Sequence, residues 1–203
     1  MKNTNRCVWI DTAKGIAIFL VVLGHSVQYY LCKDNYEDHF LWKFIYSFHM
    51  PFFFILSGYV IGLKPLSLKV KNKFCRLLIP YASWAVINFV VMSVVQGMCL
   101  DRIFNYVYTP SNGGLWYLWA LFFIYIIHAL IIEHSRTQRT QIFLFLISTG
   151  VLAFASKLIS GHFGLSEISK YFPYYVIGYY LGNNSFLHSG IKVKHIVLPI
   201  MGG

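Results

Sequence analysis

The chain has 203 residues, of which 57% are hydrophobic, 19% aromatic and only 12% charged. Soluble domains carry about 25% charged residues, and a soluble core of this size cannot bury several long uninterrupted apolar runs, so a water-soluble globular protein is excluded and an integral membrane protein is expected. The formal charge of +10 fits either nucleic acid or a membrane surface, and nucleic acid is set aside because Lys and Arg sit in short loops between apolar runs rather than along one amphipathic face.

The apolar runs fall at about 15–31, 43–63, 77–98, 115–132, 142–159 and 171–187. Several approach the roughly 20 residues that a helix needs to cross a bilayer. They predict an all-α, polytopic transmembrane helix bundle forming a single domain over 1–203, with six full helices. A seventh run starts at Ile196 and stops at Gly203, too soon to span. No small-residue cleavage site follows the first run, so it is expected to stay as a helix rather than be removed. The sixth run is weaker, holding Pro173, Asn183 and Asn184. Cys7, Cys32, Cys75 and Cys99 have no metal-like spacing, and no metal site is expected. They read first as small buried hydrophobes. Cys32 and Cys99 fall at one predicted membrane face, where a disulfide is the alternative.

The loops set the orientation. Lys2, Arg6 and Lys14 precede or enter the first run; Lys64, Lys69, Lys71, Lys73 and Arg76 lie in or beside the second loop; Arg136 and Arg139, then Lys192 and Lys194, follow in alternate loops. The loops between them are poorer in basic residues or balanced by Asp34, Glu37 and Asp38. The positive-inside rule therefore puts the N-terminus in the cytoplasm and residues 32–42, 99–114 and 160–170 outside.

In the first run, "DTAKGIAIFLVVLGHS", Lys14 and His25 are eleven residues apart. At 100° per residue they share one helix face, separated by about 16 Å along the axis. Asp11 stands three residues before Lys14, a spacing that permits pairing. An ionisable group inside a bilayer is costly and faces protein or water, so His25 is a candidate site residue. The alternative is a histidine hydrogen-bonded to a neighbouring helix near the interface. The second run, "FIYSFHMPFFFILSGYVIG", offers His49 and Ser57, with Pro51 and Gly58 beside them as residues that also shape helix packing. In "KVKNKFCRLLIPYASW", Lys73 and Arg76 suit an anion clamp, or simply report topology. Trp116 and Tyr117, in "NGGLWYLWALFFIY", fit an interfacial aromatic belt and equally fit stacking on a sugar face.

Together these stretches resemble the acyltransferase-3 superfamily of bacterial integral-membrane acyltransferases, and within it the fucose 4-O-acetylase-like branch. "WIDTAKGIAIFLVVLGH" is similar to the family's first helix, where a basic residue, ten intervening residues and a histidine form a signature that Lys14 and His25 fit. "FIYSFHMPFFFILSGY" resembles the second-helix motif, "KNKFCRLLIPYASW" the basic segment before the third helix, and "GGLWYLWALF" with "YFPYYVIGYYLG" the later helices. Lys73 stands where many members carry arginine. The family's fold has more helices than this chain supplies, so the chain reads as C-terminally incomplete.

The resemblance implies transfer of an acyl group, usually acetyl, from cytoplasmic acetyl-CoA to a hydroxyl on a surface polysaccharide or lipid-linked sugar, in the bacterial plasma membrane. His25 would take the hydroxyl proton or carry the acyl group; Lys14 would position the donor or hold charge on the thioester carbonyl; Asp11 would keep Lys14 charged. Lys73 and Arg76 would meet the phosphates of the acyl-CoA donor, and His49, Ser57, Trp116 and Tyr117 the acceptor. Two rivals stay open at this point, a transporter or flippase of glycan precursors and an inactive acyltransferase fragment.

Overall fold

The structure, a computed structural model, describes residues 8–28, 38–63, 70–96, 104, 109–110, 115–159 and 162–183. The described residues form six helices and no strand: α1 (Val8–Ser26), α2 (Phe40–Gly62), α3 (Val70–Gln96), α4 (Trp116–His134), α5 (Gln138–Leu158) and α6 (Leu165–Asn183). This is the all-α bundle that the apolar runs predict. The segment from Ile196 and the Cys32–Cys99 pairing lie outside the described residues.

Most helices begin before their apolar run. α1 starts at Val8 and α3 at Val70, several residues ahead of the expected 15 and 77. Hydropathy marks where a chain enters hydrocarbon, whereas the helix can start in the polar flank, where water or a capping side chain satisfies its first-turn N–H groups. Thr137 caps α5, its side chain accepting from the Thr140 backbone N–H at 3.2 Å. The α5–α6 turn holds two left-handed residues, Phe163 at φ 56° and Gly164 at φ 66°. Trp119 Nε1 donates to the Phe163 carbonyl at 3.0 Å, which ties this turn to α4.

Five helices, α1 to α5 with α3 counted over Asn72–Val95, are long and apolar enough to cross a membrane. α6 is outside that set among the described residues, in keeping with the weaker sixth run. Its 19 residues include Glu167, Lys170, Pro173 and five tyrosines, and it spends them on packing. Ile168, Tyr171, Phe172, Tyr175, Gly178, Tyr179 and Gly182 are all buried.

α1 and α2 run antiparallel, with Trp9 edge-on to Tyr59 at one end, ring centroids 5.1 Å apart, and Gly24 against Tyr46 at the other. α2 and α6 run parallel and touch backbone to backbone. Gly58 faces the Tyr175 carbonyl and Gly62 the Tyr179 carbonyl, while Gly178 faces the Ile55 carbonyl and Gly182 the Tyr59 carbonyl. Both helices thus carry a Gly-x-x-x-Gly pair, "GYVIG" and "GYYLG", and the pairs interlock. Small residues let membrane helices approach closely enough for dispersion contacts to replace the missing hydrophobic drive. The core beside this seam is Phe54, Ala120, Ile124, Phe172 and Tyr175, each at most 1% exposed. α3 and α5 instead turn valines, phenylalanines and leucines outward, among them Val94 at 82% and Phe154 at 65% exposure, a surface suited to lipid and not to water.

Candidate active site

α1 presents one stripe, Lys14, Ile18, Val21 and His25, at the three- and four-residue spacing of a single helix face. Two cavities lie along it. The larger, about 710 Å³, takes Ile18, Val21 and His25 from α1; Trp42, Tyr46, His49, Met50 and Phe53 from α2; Leu115 to Leu118 around the start of α4; and Lys170 and Tyr171 from α6. The smaller, about 160 Å³, takes Lys14, then Ser57, Val60 and Ile61 from α2, Lys73 and Leu77 from α3, Leu121 and Tyr125 from α4, and Tyr175 from α6. On α1, α2, α4 and α6 the smaller cavity's residues continue the larger one's face by one or two turns. The two chambers are therefore stacked along one interhelical groove.

His25 has a defined setting. Gly24 is buried because a Cβ there would meet the Tyr46 ring at 2.9 Å, so α2 lies close and Tyr46 reaches across. Tyr46 Oη donates to Gln28 Oε1 at 3.0 Å, and His25 Nδ1 stands 3.1 Å from Tyr46 Oη and 3.3 Å from Gln28 Oε1. With the tyrosine proton committed to the amide oxygen, both atoms facing Nδ1 accept. That arrangement suits the tautomer with the proton on Nδ1 and the lone pair on Nε2. His49 shows the same tautomer by a shorter route. Its Nδ1 lies 2.7 Å from the Ile45 carbonyl oxygen, which can only accept, so Nδ1–H donates and Nε2 holds the lone pair. Tyr46 links the two histidines, lying edge-on to both rings with centroids 6.1 Å from His25 and 4.7 Å from His49.

The aromatic residues give the larger cavity its walls. Trp42 stacks on Tyr46 at 4.3 Å, and Trp116, Phe54 and Tyr171 form a stacked cluster with centroids 5.4 Å (Trp116–Tyr171), 4.8 Å (Phe54–Tyr171) and 6.5 Å (Phe54–Trp116) apart. Lys170 Nζ lies 5.3 Å from the Tyr171 ring centre. Flat aromatic faces with a few polar groups bind the C–H face of a polar ring while fixing its hydroxyls.

The smaller cavity is electropositive. Two lysines and no carboxylate line it among the described residues, and Lys73 Nζ sits 4.9 Å from the Tyr125 ring centre. Arg76 is exposed and lies outside that lining, as does exposed Asp11 in the first turn of α1. No ion pair joins Asp11 to Lys14 among the described residues, where Lys43–Asp38 at 3.3 Å is such a pair. The i, i+3 spacing brings Asp11 near Lys14 in sequence, but the inward stripe claims the lysine alone. Lys73 and Arg76 part company for the same reason, one facing the chamber and the other the surface.

Ser57 and Tyr117 meet where the chambers adjoin, their hydroxyl oxygens 2.7 Å apart. Of the expected site residues, the structure thus gathers His25, His49, Trp116 and Tyr117 in one chamber and Lys14, Ser57 and Lys73 in the next. Sequence reasoning missed Tyr46, Gln28, Tyr171 and Tyr175. Their only signal was helical register with His25, His49 and Ser57. It also passed over His128, fully buried in α4, with neither ring nitrogen bonded among the described residues and Tyr179 edge-on at 4.4 Å. A lone histidine inside "FIYIIHALII" was the available sign.

These features define a multi-pass helical membrane protein whose interior holds a polar-ended, two-chambered site. The chain matches the acyltransferase-domain family model over residues 8–202, and it belongs to the acyltransferase-3 family. It is 30% identical over 187 residues to nodulation protein NolL of Mesorhizobium japonicum, an alignment covering 87% of this chain and 48% of the relative. It is 34% identical over 134 residues to nodulation protein NolL of Sinorhizobium fredii, covering 58% of this chain and 34% of that relative. The chain therefore spans less than half the length of these curated relatives. No solved structure matches it.

Proposed function

We propose that the chain is a membrane O-acetyltransferase that moves acetyl from cytoplasmic acetyl-CoA to a hydroxyl of a surface polysaccharide or lipid-linked sugar, in the bacterial plasma membrane with its N-terminus in the cytoplasm. The observation that carries this is the pair of stacked chambers on one α1 stripe, Lys14 in the first and His25 in the second. Membership of the acyltransferase-3 family supports the reaction class.

The donor enters from the lysine end. Lys14 and Lys73 attract its anionic portion, and the chamber's small volume takes the acyl-bearing end of a pantetheine arm while the nucleotide stays at the polar flank of α3. Arg76, on that flank, would meet phosphate rather than the thioester. The acceptor enters the larger chamber and lies against Trp116 and Tyr171. His25 Nε2 takes the proton of its hydroxyl, and Tyr46 and Gln28 hold the ring in the tautomer that makes this feasible. The hydroxyl oxygen bonds to the acyl carbon, the carbon–sulfur bond breaks, and the proton leaves on the thiol of CoA. His49, with its own Nε2 lone pair, orients the acceptor.

The test is acetate ester on surface polysaccharide in cells expressing this chain, compared with His25→Ala at equal membrane levels. Ester formed by the unaltered chain and lost in the variant is expected. Undiminished ester in the variant overturns the assignment of His25.

A further inference from the structure

Resting on the acyltransfer reading, a second question concerns the wall between the chambers. Lys14 and His25 stand about 16 Å apart along α1, so a thioester anchored near the lysine must reach past whatever divides them. The divider is visible. Phe53 and Tyr117 line the larger chamber, Ser57 and Leu121 line the smaller, and these residues are one turn apart on α2 and on α4 respectively. Most of the division is aromatic packing that has no cheap way to open. Phe54 lies against Tyr117 with ring centroids 4.9 Å apart and stacks on Tyr171 at 4.8 Å, and Phe53 tilts against Tyr117 at 5.6 Å.

Among the described residues, polar contacts of the Tyr117 hydroxyl interrupt this packing, the shorter being the 2.7 Å hydrogen bond between Ser57 Oγ and Tyr117 Oη. Its setting is specific. Serine hydroxyls in helices usually bond back to the carbonyl four residues earlier, which for Ser57 is that of Phe53. Here Tyr117 Oη takes that carbonyl instead, at 3.5 Å, and Ser57 turns across to the tyrosine. Two helices are thereby joined at the one level where the groove passes from lysine chamber to histidine chamber. The alternative partner is also on hand. If the tyrosine withdraws, Ser57 can bond the Phe53 carbonyl, so opening leaves no serine hydroxyl stranded.

We propose that Ser57 and Tyr117 form a partition between donor and acceptor chambers, positioning residues that keep the bound thioester away from water until the acyl end displaces their hydrogen bond. Water in the acceptor chamber is a competing nucleophile. With the partition shut, the thioester waits below it. With the partition lost, water adds to the acyl carbon, the carbon–sulfur bond breaks, and acetate and CoA thiol are released with no ester formed. The pair thus sets how tightly donor consumption is coupled to transfer. This differs from sugar stacking by Tyr117, which acts on acceptor affinity and leaves acceptor-free hydrolysis unmoved.

The experiment measures free CoA thiol released from acetyl-CoA by the full chain purified in lipid nanodiscs, with no acceptor added. Acetyl-CoA binding is followed in parallel by equilibrium dialysis. Tyr117→Phe and Ser57→Ala each delete one hydroxyl and little volume, and agreement between the two guards against a folding defect in either. Each is expected to raise release about fivefold, the bias from losing one hydrogen bond in a two-state closure, with acetyl-CoA still bound by both variants. Acetyl-CoA bound by all three proteins with equal release overturns the partition and leaves the acyltransfer reading standing. Failure of the unaltered chain to bind acetyl-CoA overturns that reading, and the partition with it.

Discussion

The interlocked glycines of α2 and α6 make a sharp stability prediction through Gly178→Ala. A Cβ at Gly178 would strike the Ile55 carbonyl oxygen and lie 2.7 Å from its carbon and 2.8 Å from its Cα. All three are main-chain atoms, so no side-chain rotation relieves the collision and the helices must part by about 1 Å. A gap of that size gives up a quarter to a half of each dispersion contact it opens, and this seam carries Phe54, Tyr171 and Tyr175. Overpacking of this kind costs about 1–3 kcal/mol, offset by roughly 1 kcal/mol of improved helix propensity. The net expectation is a loss of about 0–2 kcal/mol, against a gain at an open helical glycine. Gly150 in α5 supplies the control, because a Cβ there meets nothing within 4 Å, so Gly150→Ala should be neutral or stabilising. The assay is reversible unfolding of the purified protein in bicelles titrated with sodium dodecyl sulfate, read by tryptophan fluorescence. Equal stability of the two variants would refute the claim that backbone contact at Gly178 holds α6 in place.

Three further outcomes are expected. Tyr46→Phe removes the hydroxyl that orients His25 and should lower kcat about tenfold, the scale of one hydrogen bond at a general base, while the KM for acetyl-CoA stays fixed; a change confined to KM counts against an orienting role. Lys73→Ala should raise the KM for acetyl-CoA more than Lys73→Arg does, because the chamber needs the charge, whereas exposed Arg76→Ala should weaken binding only in a salt-dependent way, as expected of a screened surface contact. Orientation is tested with a variant retaining Cys75 alone, an exposed thiol near the start of α3. A membrane-impermeant maleimide should label it in inverted vesicles and spare it in intact cells, and the opposite pattern would invert the assigned topology.

Much of the helix content was legible because each run announces itself by length and apolarity, and the Lys14–His25 register follows from helix geometry alone. The two-chamber layout was not legible. It depends on α6 lying parallel to α2, and nothing local to either helix reveals that partner. The glycines offered a hint, since "GYVIG" and "GYYLG" share a spacing, but only contact shows that they face each other. Asp11 and Arg76 mark the limit of spacing arguments. Each sits three residues from a lysine that lines the smaller chamber, and each lies outside that lining, because three residues along a helix still leave about 60° of rotation to separate an inward face from an outward one. Tyr46 was hidden for another reason. Tyrosines are common here, fifteen in all, and only the close approach at Gly24 singles this one out.

The α2–α6 seam also sets a timetable for assembly. The glycine face of α2 emerges from the ribosome long before Gly178 exists, and at about 5–20 residues per second the wait is on the order of ten seconds. During that interval α2 must stay inserted with its small-residue face against lipid, α1 or the insertion machinery, and both chambers lack the residues that α6 contributes. The groove thus gains its full described lining only when α6 docks, and a chain arrested before α6 lacks Lys170 and Tyr171 from the larger chamber and Tyr175 from the smaller.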